Sequence, residues 1–352
     1  MTSGPVSAIR YAVQSRELDF QFPDRLIATE RKPASRVMLN ERGVSTELAG
    51  IPALLERLNK GDCLVVNDTR VLRRRVFTES ELEILFLAPV NTDRRAWRVL
   101  CPSSRWKEGA VQTLPEGVGL RLTERGRTQV VEADRALDDS YFERVGEMPL
   151  PPYIQKARGE RHHRSSDPLD YQTGWARNDG SLAAPTASLH FSADDLARLE
   201  LRGVSVARVT LHVGLGTFLP VTVEELDEHV MHGEVAIVTP EAWASIQAAR
   251  KDGGRVWALG TTVTRTLESV ALGKLSGSGL AGFAGETDLF IRPGYEWQVV
   301  DALLTNFHQP RSTLLALVAA FAGLENVKRA YAWAIEREFR LFSYGDLSAW
   351  IR

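Results

Sequence analysis

Residues 240–269, PEAWASIQAARKDGGRVWALGTTVTRTLES, hold one complete passage from helix to strand to helix. Pro240 follows Thr239 as a first-turn proline, the helix runs toward Lys251, and Gly253 and Gly254 stop it. Val256, Trp257, Ala258 and Leu259 form a short apolar run suited to a buried strand. Gly260, Thr261 and Thr262 then open a second helix, which carries Arg265 and Glu268. A strand that ends in Gly-Thr-Thr and enters a helix presents unpaired backbone N–H groups and hydroxyls, a seat for a carboxylate or phosphate. Threonine is also a common helix cap, so both roles are open.

The alternation extends outward on both sides. A helix is expected over 51–60 and a buried strand over 63–66, leading into the polar run Asn67, Asp68, Thr69 and Arg70. Ser192 and Asp195 stand at capping-box spacing before a short helix that ends at Gly203, and a strand is expected over 204–213. Ser312 caps a helix over 313–322 that is apolar on all sides and so belongs to the core, and a last helix covers 327–338. One stretch breaks the rhythm. From 71 to 148 short β-type runs such as ELEILFLA, WRVL and VGLRL are separated by Gly, Pro, Asn and charged turns, with a helix only at 138–145. The pattern predicts an α/β fold in which 1–70 and 149–352 form a large domain and 71–148 a small inserted β-rich one. Pro149, Pro151 and Pro152 give a stiff return, followed by a polar loop over 158–170.

Composition narrows the class. The 352 residues are 44% hydrophobic and 25% charged, which suits a globular protein and excludes fibrous or disordered architectures. The first residues lack the apolar stretch of a signal peptide, and the longest apolar run, 314–322, is too short to span a bilayer, so a cytoplasmic protein with no membrane association is expected. Cys63 and Cys101 are the only cysteines and have no CxxC spacing, so neither a disulfide framework nor a structural zinc site is expected. The net charge is −2, yet arginines cluster: Arg70, Arg73, Arg74 and Arg75; Arg94, Arg95, Arg98 and Arg105; and the stretch 156–164 with His162 and His163. These clusters are either an RNA footprint or solvated loops.

Chemistry-bearing residues concentrate between 181 and 234. Thr210 and His212 alternate with Val209, Leu211 and Val213, so on a strand the two polar residues share one face. Gly214 and Gly216 permit a tight turn or a close approach to a ligand before Thr217 and Phe218. His190, His212, His229, His232 and His308 lie in or beside these motifs. The spacing His229-x-x-His232-x-Glu234 lacks the HExxH arrangement, so acid/base and hydrogen-bonding roles fit better than a metal. Ser188 and His190 occur without a G-x-S-x-G elbow, which argues against a serine hydrolase.

The ordered motifs NDTRV (67–71), PLPPYI (149–154), YQT (171–173), AAPTASLHF (183–191), VTLHVGLGTFLPV (209–221), HVMHGE (229–234), ALGTTVTRTLES (258–269), LFIRPGYEW (289–297), VDALLTNFHQPRSTLLALVAAFAG (300–323) and FSYGD (342–346) closely resemble those of the S-adenosylmethionine:tRNA ribosyltransferase-isomerase family of queuosine biosynthesis. The resemblance covers nearly the whole chain. It implies a large mixed α/β, barrel-like domain with a smaller inserted all-β barrel domain. It also implies transfer of the ribosyl portion of S-adenosylmethionine, a co-substrate, to 7-aminomethyl-7-deazaguanine at the wobble position of a tRNA anticodon. Epoxyqueuosine, adenine and methionine are the implied products, with no metal required and a monomer expected.

A sulfonium acidifies the hydrogens on the neighbouring ribose carbon, so the reaction asks for a base there and for an acid to help adenine leave. From motif position the resemblance assigns His212 or Glu234 as the base, with His190 and His232 next for proton transfer. Thr210, Gly214, Gly216, Thr217 and Phe218 would wall S-adenosylmethionine, and Thr261, Thr262 and Arg265 would hold its methionine carboxylate. Asp68, Asn306 and His308 would meet the modified base, Arg70 the phosphates, and Tyr171, Trp175 or Tyr344 a splayed base. Ser188 departs from a usual glycine, Val263 and Thr264 from Ser-Val, Leu219 from Gln, Gln309 from Leu, Ala236 from an aromatic, and Arg73 and Arg74 from Pro-Ala. A non-catalytic RNA- or nucleotide-binding paralogue, or a transferase with another acceptor amine, are the alternatives these departures leave.

Overall fold

A computed structural model describes residues 13–32, 35–106, 109–214, 216 and 223–352. They divide into two compact units, one drawn from Met1–Asp68, Pro185–Leu211 and Gly216–Arg352, the other from Thr69–Ala184 and His212–Leu215.

The first unit is built on a mixed ten-stranded sheet in the order Ser276–Ser278, Gly282–Thr287, Glu234–Val238, Ser205–Leu211, Cys63–Asn67, Val256–Leu259, Ala302–Asn306, Leu347–Ile351, Val37–Glu41, Val44–Leu48. Its centre is four adjacent parallel strands, Ser205–Leu211, Cys63–Asn67, Val256–Leu259 and Ala302–Asn306. The last three are buried at every position, as apolar runs covered on both faces must be. The passage at 240–269 folds as expected. Thr239 caps the helix Pro240–Lys251 by accepting from Ala242 N, and the strand Val256–Leu259 leads through Gly260 into the helix Thr261–Ala271. Ser192 and Asp195 form a reciprocal capping box on Ala193–Leu201, and Ser312 caps the core helix Thr313–Ala322. The expected helix at 51–60 is shorter, Gly50–Leu55, and the strand at 204–213 stops at Leu211. Glu268 is fully buried: Oε1 accepts from Val299 N and Val300 N at 3.0 Å each, and Oε2 from Gln298 N at 2.9 Å and Tyr295 Oη at 2.8 Å. That carboxylate explains the YEW motif, whose loop it pins to the helix.

The second unit contains a six-stranded antiparallel sheet in the order Arg75–Phe77, Glu83–Pro89, Ala96–Leu100, Gln129–Ala133, Val118–Glu124, Val111–Leu114. Glu79 N donates to Thr113 O at 2.8 Å and draws the two edges together into a nearly closed barrel. Val76, Ile84, Phe86, Trp97, Val99, Leu120 and Val131 fill it. This unit is longer than the insertion expected at 71–148, because 149–184 groups with it. The reason is local: the strand Asn178–Ser181 pairs in parallel with Thr69–Val71, and the segment expected as a polar loop is anchored by a buried ion pair, Arg158 Nη1 to Asp167 Oδ2 at 2.7 Å.

Candidate active site

In open α/β sheets ligands settle at the carboxyl ends of parallel strands. The four central strands end side by side at Leu211, Asn67, Leu259 and Asn306, and the residues singled out by sequence lie at or just past these ends: Thr210, Asp68, Thr261, Thr262 and Asn306. The antiparallel strand Glu234–Val238 starts at the same end, since its Ala236 stands opposite Leu211.

Asn67 organises this edge, a role sequence reasoning missed. Its fully buried amide accepts from Leu211 N at 3.1 Å and donates to Leu211 O at 3.0 Å, standing in for a further rung of the ladder. It also donates to Thr262 Oγ1 at 3.2 Å, tying two strand ends to the start of a helix. Beside it Thr210 Oγ1 donates to Asp68 Oδ1 at 2.6 Å in a buried pair. Gly260, with φ of +104° and no side chain, turns the chain into Thr261–Ala271, and no side chain caps that helix. The N–H groups of its first turn therefore face the strand edge with the positive end of the helix dipole.

Several expected contacts are made inside the protein instead. Glu234 and Arg265 are both buried and pair with each other, while Arg265 also donates to the carbonyls of Leu289 at 3.0 Å and Thr287 at 3.3 Å. Asn306 is buried, accepts from Thr186 Oγ1 at 2.9 Å, and donates to His190 Nε2 at 2.9 Å and to Phe342 O at 3.1 Å. Because Nε2 of His190 accepts, its Nδ1 carries the proton and donates to Ser35 Oγ at 2.6 Å. Burial, with Arg31 and Arg340 nearby, pushes His190 down to about 3, so the ring is neutral with both nitrogens engaged. His308 is buried against Thr305 Oγ1 at 2.8 Å and is likewise pushed down to about 3 by burial. Tyr171, Trp175 and Tyr344 are buried rather than presented for stacking. His232 keeps a buried Nε2 with no hydrogen-bond partner, and Ser188 a buried hydroxyl with none. A Cβ on Gly216 would lie 3.7 Å from His232 Cβ. Thr217 and Phe218 lie outside the described residues.

In the second unit His212 is half-buried, and its Nδ1 is 2.8 Å from Thr69 Oγ1. Gly180, in the strand Asn178–Ser181, lies flat against the imidazole. Ser181 Oγ accepts from Val213 N at 2.9 Å and donates to Ala183 O at 2.9 Å, fixing the backbone next to His212. Thr69, Gly180 and Ser181 gave no signal of this role except their position in or near quoted motifs. Arg70 is exposed, 3.7 Å from Asp179.

The other arginine clusters resolve differently. Arg74 is buried on Asp139 at 2.6 Å with its guanidinium 4.2 Å from the Phe142 ring, and Arg75 is buried on Glu83 at 2.8 Å. Arg73, Arg161, His162 and Arg164 each have a carboxylate partner, so the arginines of 73–75 and 158–164 are matched within the fold.

A sequence profile described as queuosine biosynthesis protein matches residues 15–349. Among solved structures, the chain is 30% identical to an S-adenosylmethionine tRNA ribosyltransferase from Thermotoga maritima, whose crystal structure at 2.00 Å resolution covers 95% of this chain and all of its own, with a TM-score of 0.54.

Proposed function

The chain belongs to the queuosine biosynthesis protein family, and on that premise we propose that it transfers the ribosyl portion of S-adenosylmethionine to 7-aminomethyl-7-deazaguanine at the tRNA wobble position. It is a tRNA-modifying transferase, and S-adenosylmethionine is its co-substrate. Isomerisation to the epoxide, with adenine and methionine released, completes the reaction. The observation that carries the reading is the family match over 15–349 together with the 30% identical ribosyltransferase structure.

The local geometry within each unit supports a role for its own residues. The uncapped start of Thr261–Ala271 supplies N–H groups and partial positive charge for the methionine carboxylate, with Thr262 oriented by Asn67. Asp68, oriented by Thr210, accepts from the acceptor's amine. His212, held by Thr69 and Gly180, removes the proton beside sulfur. Three rivals are weaker in this role: Glu234 is engaged by Arg265, and His190 uses both nitrogens in neutral hydrogen bonds, while His232 suits the departing adenine as a proton source. Gly214 and Gly216 border the nucleoside. A monomer working in the cytoplasm completes the proposal.

Purified protein incubated with S-adenosylmethionine and tRNA carrying the aminomethyl-deazaguanine should yield free adenine and an epoxide-bearing nucleoside by mass spectrometry. Adenine without modified tRNA would assign another acceptor, and neither product would refute the proposal.

A further inference from the structure

Many arginines of the second unit are matched by carboxylates within the fold. Arg73, Arg74, Arg75, Arg94, Arg144, Arg158, Arg161 and Arg164 each lie within ion-pair distance of a carboxylate. Arg95, Arg98, Arg105, Arg121, Arg127, Arg135 and Arg177 are exposed and make no ion pair among the described residues. The fold brings three of them, Arg98, Arg105 and Arg127, to one end of the barrel. Strand Ala96–Leu100 carries Arg98 and runs out toward Arg105; its Val99 stands opposite Gln129, so the turn before Gln129, which holds Arg127, lies at the same end. Hydrogen bonds lock the two loops together: Arg125 Nη2 donates to Trp106 O at 2.7 Å, Cys101 N to Gln129 Oε1 at 3.1 Å, and Gln129 Nε2 to Gly126 O at 2.9 Å. Arg98 Nη1 lies 3.5 Å from Thr128 Oγ1 in that turn. Glu124, at the end of Val118–Glu124 opposite Val130, is the carboxylate bordering the group on this sheet.

We propose that this end of the barrel is a docking surface for the phosphate backbone of RNA, an inference that rests on the tRNA reading above. Three guanidinium groups at one end with Glu124 beside them leave a net positive charge that a polyanion neutralises, and guanidinium forks match phosphate oxygens in pairs. The surface contacts backbone and not bases: Trp106, its nearest aromatic in sequence, is buried with its indole N–H on Ala110 O at 3.0 Å and offers no face for stacking. The proposal also separates this patch from the arginines of 73–75 and 158–164, whose charges are already matched within the fold.

The test is tRNA binding by fluorescence anisotropy over a salt series, for the wild type and for the triple variant R98Q/R105Q/R127Q, with steady-state turnover in parallel. The expected result is at least a ~10-fold weaker Kd at moderate salt and a log–log salt slope shallower by about 2 to 3. KM for tRNA should rise in step, while KM for S-adenosylmethionine and kcat at saturating tRNA stay the same. If the triple variant is poorly folded, the single variants R105Q and R127Q should each flatten the slope by about 1. Unchanged affinity and slope would overturn the docking surface, with wild-type turnover still standing for the reaction; absent wild-type turnover would count against the reaction itself, whatever the binding data.

Discussion

Gly180 lies so close to His212 that a Cβ at position 180 would come within 2.8 Å of three atoms of the imidazole ring. Its φ of +152° is also one that other residues rarely adopt. Gly180→Ala should therefore tilt the ring away from Thr69 and lower kcat by about 10- to 100-fold, the scale of a misplaced catalytic group. tRNA affinity should stay within a few-fold. Rate measurements at saturating substrates check this, and an unaltered kcat would remove His212 from the chemistry.

The buried bond from Thr210 to Asp68 predicts a stability effect as well as a catalytic one. Thr210→Val keeps the shape but leaves the carboxylate short of a donor, at a cost of about 1 to 3 kcal/mol. Thr210→Ser should restore most of it. Urea unfolding of both variants is the measurement, and equal midpoints would show that the hydroxyl is dispensable.

Glu234 and Arg265 give a prediction that separates structure from catalysis. Removing one partner of a buried ion pair typically costs about 3 to 5 kcal/mol, because the other charge is stranded. Glu234→Gln should thus lose mainly stability, and Glu234→Leu combined with Arg265→Met should cost less than the two single losses added together. A Glu234→Gln protein that is fully stable yet inactive would instead make Glu234 the base.

Acid stability follows from His190 and His308, both pushed down to about 3 by burial. Unfolded histidine takes up its proton near pH 6.5, whereas these two resist until about pH 3. Between those limits the unfolded chain binds more protons. Their contribution is complete above about pH 6.5 and is lost as pH falls toward 3. His308→Asn should flatten that limb by up to one proton, about 1.4 kcal/mol per pH unit. His162 behaves in the opposite sense, since its hydrogen bond to Glu147, and then Glu81, raises it. Denaturation curves at pH 4, 5 and 6 would show the change, and an identical slope in the variant would contradict it.

Sequence made the central parallel strands legible, because caps and stops such as Thr239, Ser192 and Gly253 act within a few residues of the helices they bound. It also placed Asp68, Thr261 and Thr262 at strand ends and Thr210 on a polar strand face, since each directly adjoins apolar residues. What it could not show was which polar residues the fold consumes. Asn306, His308, Arg265 and Tyr344 sit in motifs as conspicuous as that of His212, yet they are buried. Thr186, Thr305 and Glu234 take up the first three. The arginine clusters were ambiguous for the same reason: the partners of Arg73 and Arg74, Glu143 and Asp139, stand about 65 to 70 residues away, beyond any local pattern.

The most direct test compares adenine release by the wild type and His212→Gln, each with S-adenosylmethionine and tRNA bearing the aminomethyl-deazaguanine. The account predicts one adenine released per tRNA modified by the wild type. It predicts a fall of about 100-fold or more in His212→Gln, the range expected when a general base is removed, with tRNA affinity within a few-fold. Full activity in His212→Gln, or no adenine from the wild type, would contradict it.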